Sequence, residues 1–416
     1  MLPGEIWSGV RKGGFGMEKR LTMHYAAIQS SYWIMAVVGM AFLTPILQDR
    51  GFDSLQIGII YAAKSVTTVI AQSVIGMLAD KYSERIPQKY FLCILIFVSI
   101  LLSLIFLKNH FSFMATLLMF ILFGCSLYAM SLFIEPLAMQ FIRAGRKMNY
   151  GIPRAIGSFS WASACVAIGC AVKKWGYDSA IFIEVIFQII LLICVLTYET
   201  YRGEKVQNQE KNESNHGFLW LFQNVPGFGV YLAATCLMYI SYTVGGTFLI
   251  DFVRRIGGDE TSFGYVSFIS AASEIPIMLL FTKLRKRFSI RNLIVVTTIA
   301  SLCKIVGIWV APIMSIMVLV QLFQGIGVGM HYSTSVFFIM ERLEEQDMVK
   351  GQSLINIVTF GIGAGAGSFI SGMINNALGL DYVMICATLL GAISIILMVV
   401  ARKKITDGRS IVCIQQ

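Results

Sequence analysis

The sequence is poor in charged residues. Only 13% of its 416 residues are Asp, Glu, Lys or Arg, whereas a soluble globular chain has about 25%. Hydrophobic residues make up 56% of the chain and the mean hydropathy is +0.73, which excludes an intrinsically disordered protein. The apolar residues form uncharged runs of about 20 residues, the length that crosses a bilayer as a helix. The sequence therefore predicts an all-α, polytopic protein of the cell membrane.

Residue patterns that hold metals, disulfides or catalytic groups are also missing. The nine cysteines include no C-x-x-C pair and the four histidines lie in unrelated segments, so we expect no disulfide framework, metal or cofactor. An intramembrane enzyme would carry a motif such as H-E-x-x-H or a Ser/His constellation, and the sequence has neither. The first 20 residues lack the short apolar core of a signal peptide.

Polar breaks divide the apolar sequence into twelve predicted transmembrane spans. Six lie near residues 22–47, 55–79, 90–107, 111–141, 151–172 and 178–199, and six near 226–251, 261–282, 292–311, 313–340, 348–376 and 381–401. The longest polar stretch, residues 200–217, separates the two sets. We therefore predict a six-helix bundle over 22–199, a cytoplasmic linker over 200–217, a second bundle over 218–401, and cytoplasmic tails over 1–21 and 402–416.

The positions of the positive charges predict the orientation of the chain. Most of the 33 lysines and arginines fall in alternate loops, as expected when those loops are cytoplasmic. Both termini are then cytoplasmic, and the net charge of +10 reflects topology rather than affinity for nucleic acid. Two six-span halves joined by a polar linker are typical of secondary transporters, which bind their substrate near the middle of the bilayer.

Several short segments are similar to the major facilitator superfamily. Residues 76–81, GMLADK, resemble its loop signature, although Ser83 stands where a glycine is usual and Glu84 where a basic residue is usual. Segments 55–58 (LQIG), 150–158 (YGIPRAIGS), 273–276 (SEIP) and 329–331 (GMH) resemble the phenylpropionate-permease-like branch, a relative of lactose permease and the nucleoside–proton symporters. The resemblance covers about residues 20–400. It implies two six-helix bundles and proton symport by alternating access.

The resemblance also implies site residues. In this branch a carboxylate on the fourth span and the arginine of the Tyr-Gly-x-x-Arg segment line the substrate site, which here are Glu135 and Arg154. Trp161 matches the tryptophan that stacks on the sugar in lactose permease, seven residues after that arginine. Glu274 on the eighth span and Lys304 on the ninth match a glutamate before proline and a basic residue.

One position departs from this pattern. Where the tenth span of the branch carries a histidine before glycine, this chain has Gln324. Glutamine does not titrate, so a proton role of that histidine does not carry over. His331 is the one histidine within a predicted span, and it either relays protons or packs in a hydrogen-bonded core.

The buried ions support the same site without the resemblance, because an ionisable residue within a span is costly and normally faces a cavity or a partner. Glu135 and Arg154 lie at equal distances from the predicted cytoplasmic loops, so they can pair either as part of the transport cycle or as a static packing contact. Lys64 lies near mid-depth, where we expect it to line the cavity. Glu184, close to the predicted outer edge, is expected to be a solvated or interfacial carboxylate.

Further residues receive secondary roles. Tyr239 and Tyr242 are candidates for stacking on a ligand, whereas Gln324 and Asn356 either contact substrate or form bonds between helices. Asp80, Lys81 and Arg85, after the second span, are expected to form a cytoplasmic gate, the alternative being a loop that only sets topology.

These observations predict a secondary active transporter for a small organic solute, such as a sugar, a nucleoside or a small aromatic acid, driven by protons. An efflux antiporter is the alternative in the same class, and an intramembrane enzyme or a channel is more remote. We expect small-molecule substrate, protons and lipid as partners, no nucleic acid, and a monomer.

Overall fold

The computed structural model describes residues 10–82, 85–108, 111–146, 148, 150–201 and 217–405. Most of the predicted linker and parts of both predicted tails, including residues 1–9, 202–216 and 406–416, lie outside the described residues. The described chain is helical, without strands. Eleven of its helices are long and apolar enough to cross a membrane, and the bent pair Glu18–Met40 and Leu43–Asp49 makes a twelfth.

The twelve spans follow the predicted order. The first half contains α1 (Val10–Met40, continued by Leu43–Asp49), α2 (Ser54–Lys81), α3 (Gln88–Lys108), α4 (Phe113–Cys125 and Ser131–Arg143), α5 (Gly151–Trp175) and α6 (Asp178–Thr197). The second half contains α7 (Phe228–Gly246, continued by Leu249–Arg255), α8 (Glu260–Arg287), α9 (Ile290–Val310), α10 (Met314–Val320 and Met330–Arg342), α11 (Glu345–Asn356 and Ala364–Leu378) and α12 (Leu380–Lys404). A short helix, Phe218–Asn224, precedes α7.

Equivalent aspartates begin the second span of each half. Asp53 accepts a hydrogen bond from the backbone N–H of Gln56 at 2.8 Å, and the Gln56 side chain accepts one from the Asp53 N–H at 3.1 Å. Asp259 accepts from the N–H of Ser262 at 2.8 Å at the start of α8. These caps satisfy N–H groups that the first helical turn leaves without partners.

The two halves repeat one packing pattern. In the first half, α1 packs against α5 and α6, α2 against α4, and α3 against α6. Shifting each number by six gives the principal contacts of the second half, where α7 packs against α11 and α12, α8 against α10, and α9 against α12. Large apolar side chains such as Ile94 and Leu389 are 60% exposed on the outside of the bundle. The protein is a multi-pass membrane protein built from two six-helix bundles.

Helices α2 and α5 of the first half contact α11 and α8 of the second. Glycines permit the close approach, because a Cβ on Gly58 of α2 would lie 2.8 Å from the Ser368 carbonyl oxygen of α11. A Cβ on Gly264 of α8 would lie 2.5 Å from the carbonyl oxygen of Cys165 in α5. These contacts join the halves firmly at one end of the bundle, which we name the closed end.

Polar side chains reinforce the closed end. Arg254, in the segment that continues α7, donates to Gln48 Oε1 at 3.0 Å and to the Tyr177 hydroxyl at 2.7 Å, both in the first half. Lys173 of α5 forms a 2.7 Å ion pair with Asp259. Hydrogen bonding from Lys173 and from the Ser262 N–H lowers the pKa of Asp259 to about 2. In the topology that the positive charges predict, the closed end faces outward.

Candidate functional site

A cavity of about 500 Å³ lies between the two halves, a volume within the usual range for small-molecule sites. Helices α1, α2 and α5 form one wall, and residues from α7 to α11 form the other. Its charged lining residues are Lys64, Arg154, Glu274 and Lys304. The cavity therefore brings together four ionisable residues that the sequence predicted for the site, each from a different span.

Arg154 lies on the first turn of α5. Its guanidinium donates to Ser158 Oγ at 2.8 Å and lies 5.1 Å from the centre of the Trp33 ring. The Trp33 ring N–H donates to Gln29 Oε1 at 2.9 Å, and the ring packs so closely on α5 that a Cβ on Gly157 would overlap it. No carboxylate in the described part of the chain lies within 4 Å of Arg154.

An aromatic wall adjoins Arg154. Trp161 also lines the cavity and meets Trp33 edge to face, with ring centres 5.8 Å apart and an interplanar angle of 83°. Indole rings supply a broad apolar surface on which a planar ligand can stack. A ligand ring stacked on this aromatic wall would lie beside the guanidinium of Arg154.

Lys64 is 8% exposed. Its ammonium lies 4.3 Å from the ring centres of both Tyr61 and Tyr128, and it is 3.4 Å from the Gly39 carbonyl oxygen, to which it donates. Contact with two aromatic faces stabilises the cation where water is excluded. Within the described chain, its ammonium too has no carboxylate within 4 Å.

In the second half, one amide links a cation to a carboxylate. Lys304 donates to Gln324 Oε1 at 2.7 Å and to Ser270 Oγ at 3.2 Å. Gln324 Nε2 in turn donates to Glu274 Oε1 at 2.8 Å. A π-helical turn, Gly325–Gly329, begins directly after Gln324, and π-turns are frequent at functional sites. Glutamine thus stands between the charged residues, at the position where the resembling branch has a histidine.

The predicted pair of Glu135 and Arg154 is not formed in this conformation. Glu135 is exposed and does not line the 500 Å³ cavity, although it lies near the start of α5. Burial and then the charge of Glu135 raise the pKa of Tyr150, the residue before α5, to about 12, while Arg154 acts in the opposite direction. Equal depth on neighbouring helices therefore brought the two residues near each other without an ion pair.

Three further candidates lie away from the cavity lining, while Tyr242 is part of it. His331 is 1% exposed and contacts Thr297 Oγ1 at 3.4 Å and Ser335 Oγ at 3.2 Å. Tyr239 packs edge to face on His331, with ring centres 5.7 Å apart. Asn356 is exposed and accepts from Gln352 at 3.2 Å.

The predicted gate residues Asp80, Lys81 and Arg85 are exposed. They lie at the end of α2 opposite the closed end and in the turn that follows it. The gating role stays a prediction.

The expectation that Glu184 is solvated is wrong. The residue is 6% exposed rather than solvated, because α6 turns it toward α3 and α4 instead of toward the end of the bundle. Distance from the membrane edge fixes the depth of a residue but not its direction around the helix.

Sequence reasoning did not select Ser270, Trp33 or Tyr61 as site residues, although all three line the cavity. Ser270 precedes Glu274 by one helical turn, so the two share a face. Trp33 and Tyr61 have no comparable signal in sequence, since their position in the cavity depends on how α1 and α2 pack.

One protein-family model and several solved structures match this chain. A model of the MFS_1-like family matches residues 28–385, and no curated protein sequence shows significant similarity to the chain. Crystal structures of the nucleoside transporter NupG superpose with TM-scores of 0.80 for a point mutant and 0.76 for NupG itself, at 14% and 15% identity. The alignments cover 93% of this chain and 100% and 98% of those chains.

A bacterial homologue of the human lysosomal transporter Spinster, solved in an inward-facing and unoccupied conformation, has a TM-score of 0.70 at 13% identity. That alignment covers 97% of this chain and 100% of the other. At such identities the likeness establishes the shared transporter fold, whereas the family model covers most of the sequence. The chain belongs to the MFS_1-like family of transporters.

Proposed function

We propose that the protein is a proton-coupled symporter that takes up a small organic anion, one with an aromatic ring, across the cell membrane. The family supports a secondary transporter, and the cavity between the halves supports the choice of substrate. Substrate binding there lets the halves rock about one site, as alternating access requires.

The charges of the cavity favour an anion. Lys304 and Glu274 offset each other through Gln324, so Lys64 and Arg154 are left as two positive charges without a carboxylate within 4 Å in the described chain. A guanidinium binds a carboxylate or phosphate through two parallel hydrogen bonds. One observation carries the proposal. Arg154, which has no carboxylate within 4 Å in the described chain, lies beside the aromatic wall of Trp33 and Trp161.

Proton coupling follows from the same residues. When a substrate anion occupies Arg154, we infer that the nearby Glu135 of α4 exchanges the proton that accompanies the anion. Anion and proton then bind cooperatively. Because the halves meet at the closed end, this conformation corresponds to the state in which the predicted outer side is shut.

A binding experiment tests the substrate class. The thermal stability of the purified protein is measured with aromatic carboxylates, aliphatic carboxylates, nucleosides and sugars, since a ligand that binds the folded state raises it. We expect aromatic carboxylates to stabilise the wild type but not Arg154→Gln, and to stabilise the control Arg143→Gln, an exposed arginine of α4. Equal stabilisation of all three proteins, or stabilisation by neutral solutes alone, would refute the anion site.

A further inference from the structure

A second buried carboxylate, Glu184, lies inside the first half and away from the central cavity. Its Oε1 accepts a hydrogen bond from Gln188 Nε2 at 3.1 Å. The same amide nitrogen lies 3.1 Å from Ser99 Oγ and 3.2 Å from Ser103 Oγ of α3. In the described part of the chain, no lysine, arginine or histidine lies within 4 Å of this carboxylate.

The surroundings of Glu184 favour a protonated carboxyl group. An ion buried without a counter-charge is strongly unfavourable, whereas a neutral acid needs only hydrogen bonds. Gln188 Oε1 is buried and has no hydrogen-bond partner. Rotating this amide would present its oxygen to a Glu184 O–H, and the serine hydroxyls can donate or accept. The cluster therefore offers hydrogen-bond partners to either form, while burial without a counter-charge favours the neutral one.

A small cavity adjoins the carboxylate. Its volume is about 20 Å³ and its lining includes Glu184, Ser103, Tyr128 and Gly39. This volume exceeds the 10–15 Å³ that one water molecule needs. The space suits one water molecule, which can donate a proton to Glu184.

Tyr128 connects this cavity to the central one. It lies in the 3₁₀ turn Tyr128–Met130 that interrupts α4, and its hydroxyl donates to the Gly39 carbonyl oxygen at 2.7 Å. Helix α1 bends by 48° two residues further on. The ammonium of Lys64 lies over the Tyr128 ring, donates to the same carbonyl, and lines the central cavity. Interrupted spans that meet in this way commonly form ion sites in transporters.

We propose that Glu184 binds a transported proton, and that Tyr128 and Lys64 couple its charge to the anion site. When Glu184 is ionised, its negative charge attracts the Lys64 ammonium, which lies over the Tyr128 ring. Protonation neutralises Glu184, so the positive charge of Lys64 then becomes available to attract a substrate anion in the central cavity. The inference rests on the proposed symport of an anion. It adds a proton site that lies nearer the closed end than Arg154 does.

Other charged and titratable groups on the neighbouring helices are engaged elsewhere or lie at the helix ends. Arg50, beyond α1, pairs with Asp178 at 2.7 Å, and His24 of α1 contacts the Cys194 carbonyl at 2.9 Å near the opposite end of α6. Lys89 of α3 donates to the Tyr198 carbonyl at that end. Further charged groups on these helices are Lys108 on α3, Glu135 and Arg143 on α4, and Arg154, Lys173 and Lys174 on α5. Glu135 is exposed and acts on Tyr150, and the others lie near the ends of their helices. Tyr128 is therefore the titratable group that directly shares the small cavity with Glu184.

Infrared difference spectroscopy of the purified protein, without any substrate, tests the site. Acid-minus-alkaline spectra in H₂O and D₂O should contain a protonated carboxyl band that Glu184→Gln removes. The band should remain in Glu199→Gln, a more exposed carboxylate paired with Arg146, and in sodium chloride as in choline chloride. An unchanged spectrum in Glu184→Gln would overturn the proposal, and so would a band that sodium removes. Glutamine has the shape of the neutral acid, and a monodisperse elution profile verifies folding.

Transport then separates the two proposals. In proteoliposomes, Glu184→Gln should still exchange an aromatic carboxylate across the membrane, while the proton movement that accompanies net uptake is reduced to the part that Glu135 carries. Acidification should raise the anion affinity of the wild type about tenfold, a usual size for coupled sites, and raise that of the variant clearly less. Unchanged proton movement in the variant would refute the role of Glu184 in coupling. A Glu184 band without transport of any solute would refute the symport function and leave the proton site standing.

Discussion

Lys304 and Glu274 are joined through a single amide, that of Gln324, rather than by a direct ion pair. The distances along this connection are 2.7 Å from the lysine nitrogen to Oε1 and 2.8 Å from Nε2 to the carboxylate. An amide both donates and accepts, so it satisfies the two ions at once. The bridge keeps the second half of the cavity nearly neutral, and the two cations of the first half therefore determine the sign of the site.

Replacing Gln324 by leucine should destabilise the protein. Gln324→Leu leaves the buried Lys304 and Glu274 without this partner, and unmade buried bonds of this kind cost about 1–3 kcal/mol each. Thermal unfolding of the purified protein measures the loss. The matched control is Gln321→Leu, because Gln321 is buried but its Nε2 bonds only within α10, to Met317 O at 3.3 Å. Equal losses in the two variants would contradict a special role of the bridge.

A methyl group on Gly58 should open the closed end. Its Cβ would lie 2.8 Å from the Ser368 carbonyl oxygen and 3.1 Å from Gly372 Cα, so α2 and α11 must separate. Such overpacking costs about 1–3 kcal/mol, enough to shift a conformational equilibrium strongly. Spin labels at Asp49 and Ala377, in a cysteine-free background, should report a longer distance in Gly58→Ala.

The control for that experiment is Gly76→Ala on the same helix. Its Cβ would meet only a leucine methyl group at an ordinary 3.5 Å. An unchanged label distance in Gly58→Ala, or an equal change in both variants, would show that the glycine contact does not hold the halves together.

Because Lys173 and Asp259 form an ion pair, we expect the stability of the closed end to fall at acid pH. Hydrogen bonds to its carboxylate lower the pKa of Asp259 from 3.8 to about 2, so the pair stabilises the closed end fully above pH 3.8. This contribution is lost as the pH falls toward 2, when the carboxylate takes up a proton. The same spin labels should therefore show opening in that window, and Asp259→Asn should be more open than the wild type at neutral pH. A variant that titrates like the wild type would contradict this assignment.

Sequence alone predicted the twelve spans and their order because bilayer thickness and the cost of charge within it constrain every residue. The same cost singled out Lys64, Arg154, Glu274 and Lys304, all of which line the cavity. These predictions depend on depth along the membrane normal, which spacing within a span determines directly.

Direction around a helix was harder to predict. Glu184 faces the interior of the first half and His331 packs behind Tyr239, while Glu135 and Arg154 share a depth without pairing. The breaks in α1 and α4 that bring Tyr128 to Gly39 arise from tertiary packing. No periodic signal in the sequence marks them.

The most direct test of the central claim is proton movement driven by solute in proteoliposomes that contain only this protein and an internal pH-sensitive dye. We predict that an external aromatic carboxylate acidifies the interior with the wild type and with Arg143→Gln. With Arg154→Gln, the loss of charged hydrogen bonds should weaken the apparent affinity about 10- to 100-fold. If no solute of the panel moves protons through the wild type, or if Arg154→Gln transports as the wild type does, anion–proton symport through this cavity is contradicted.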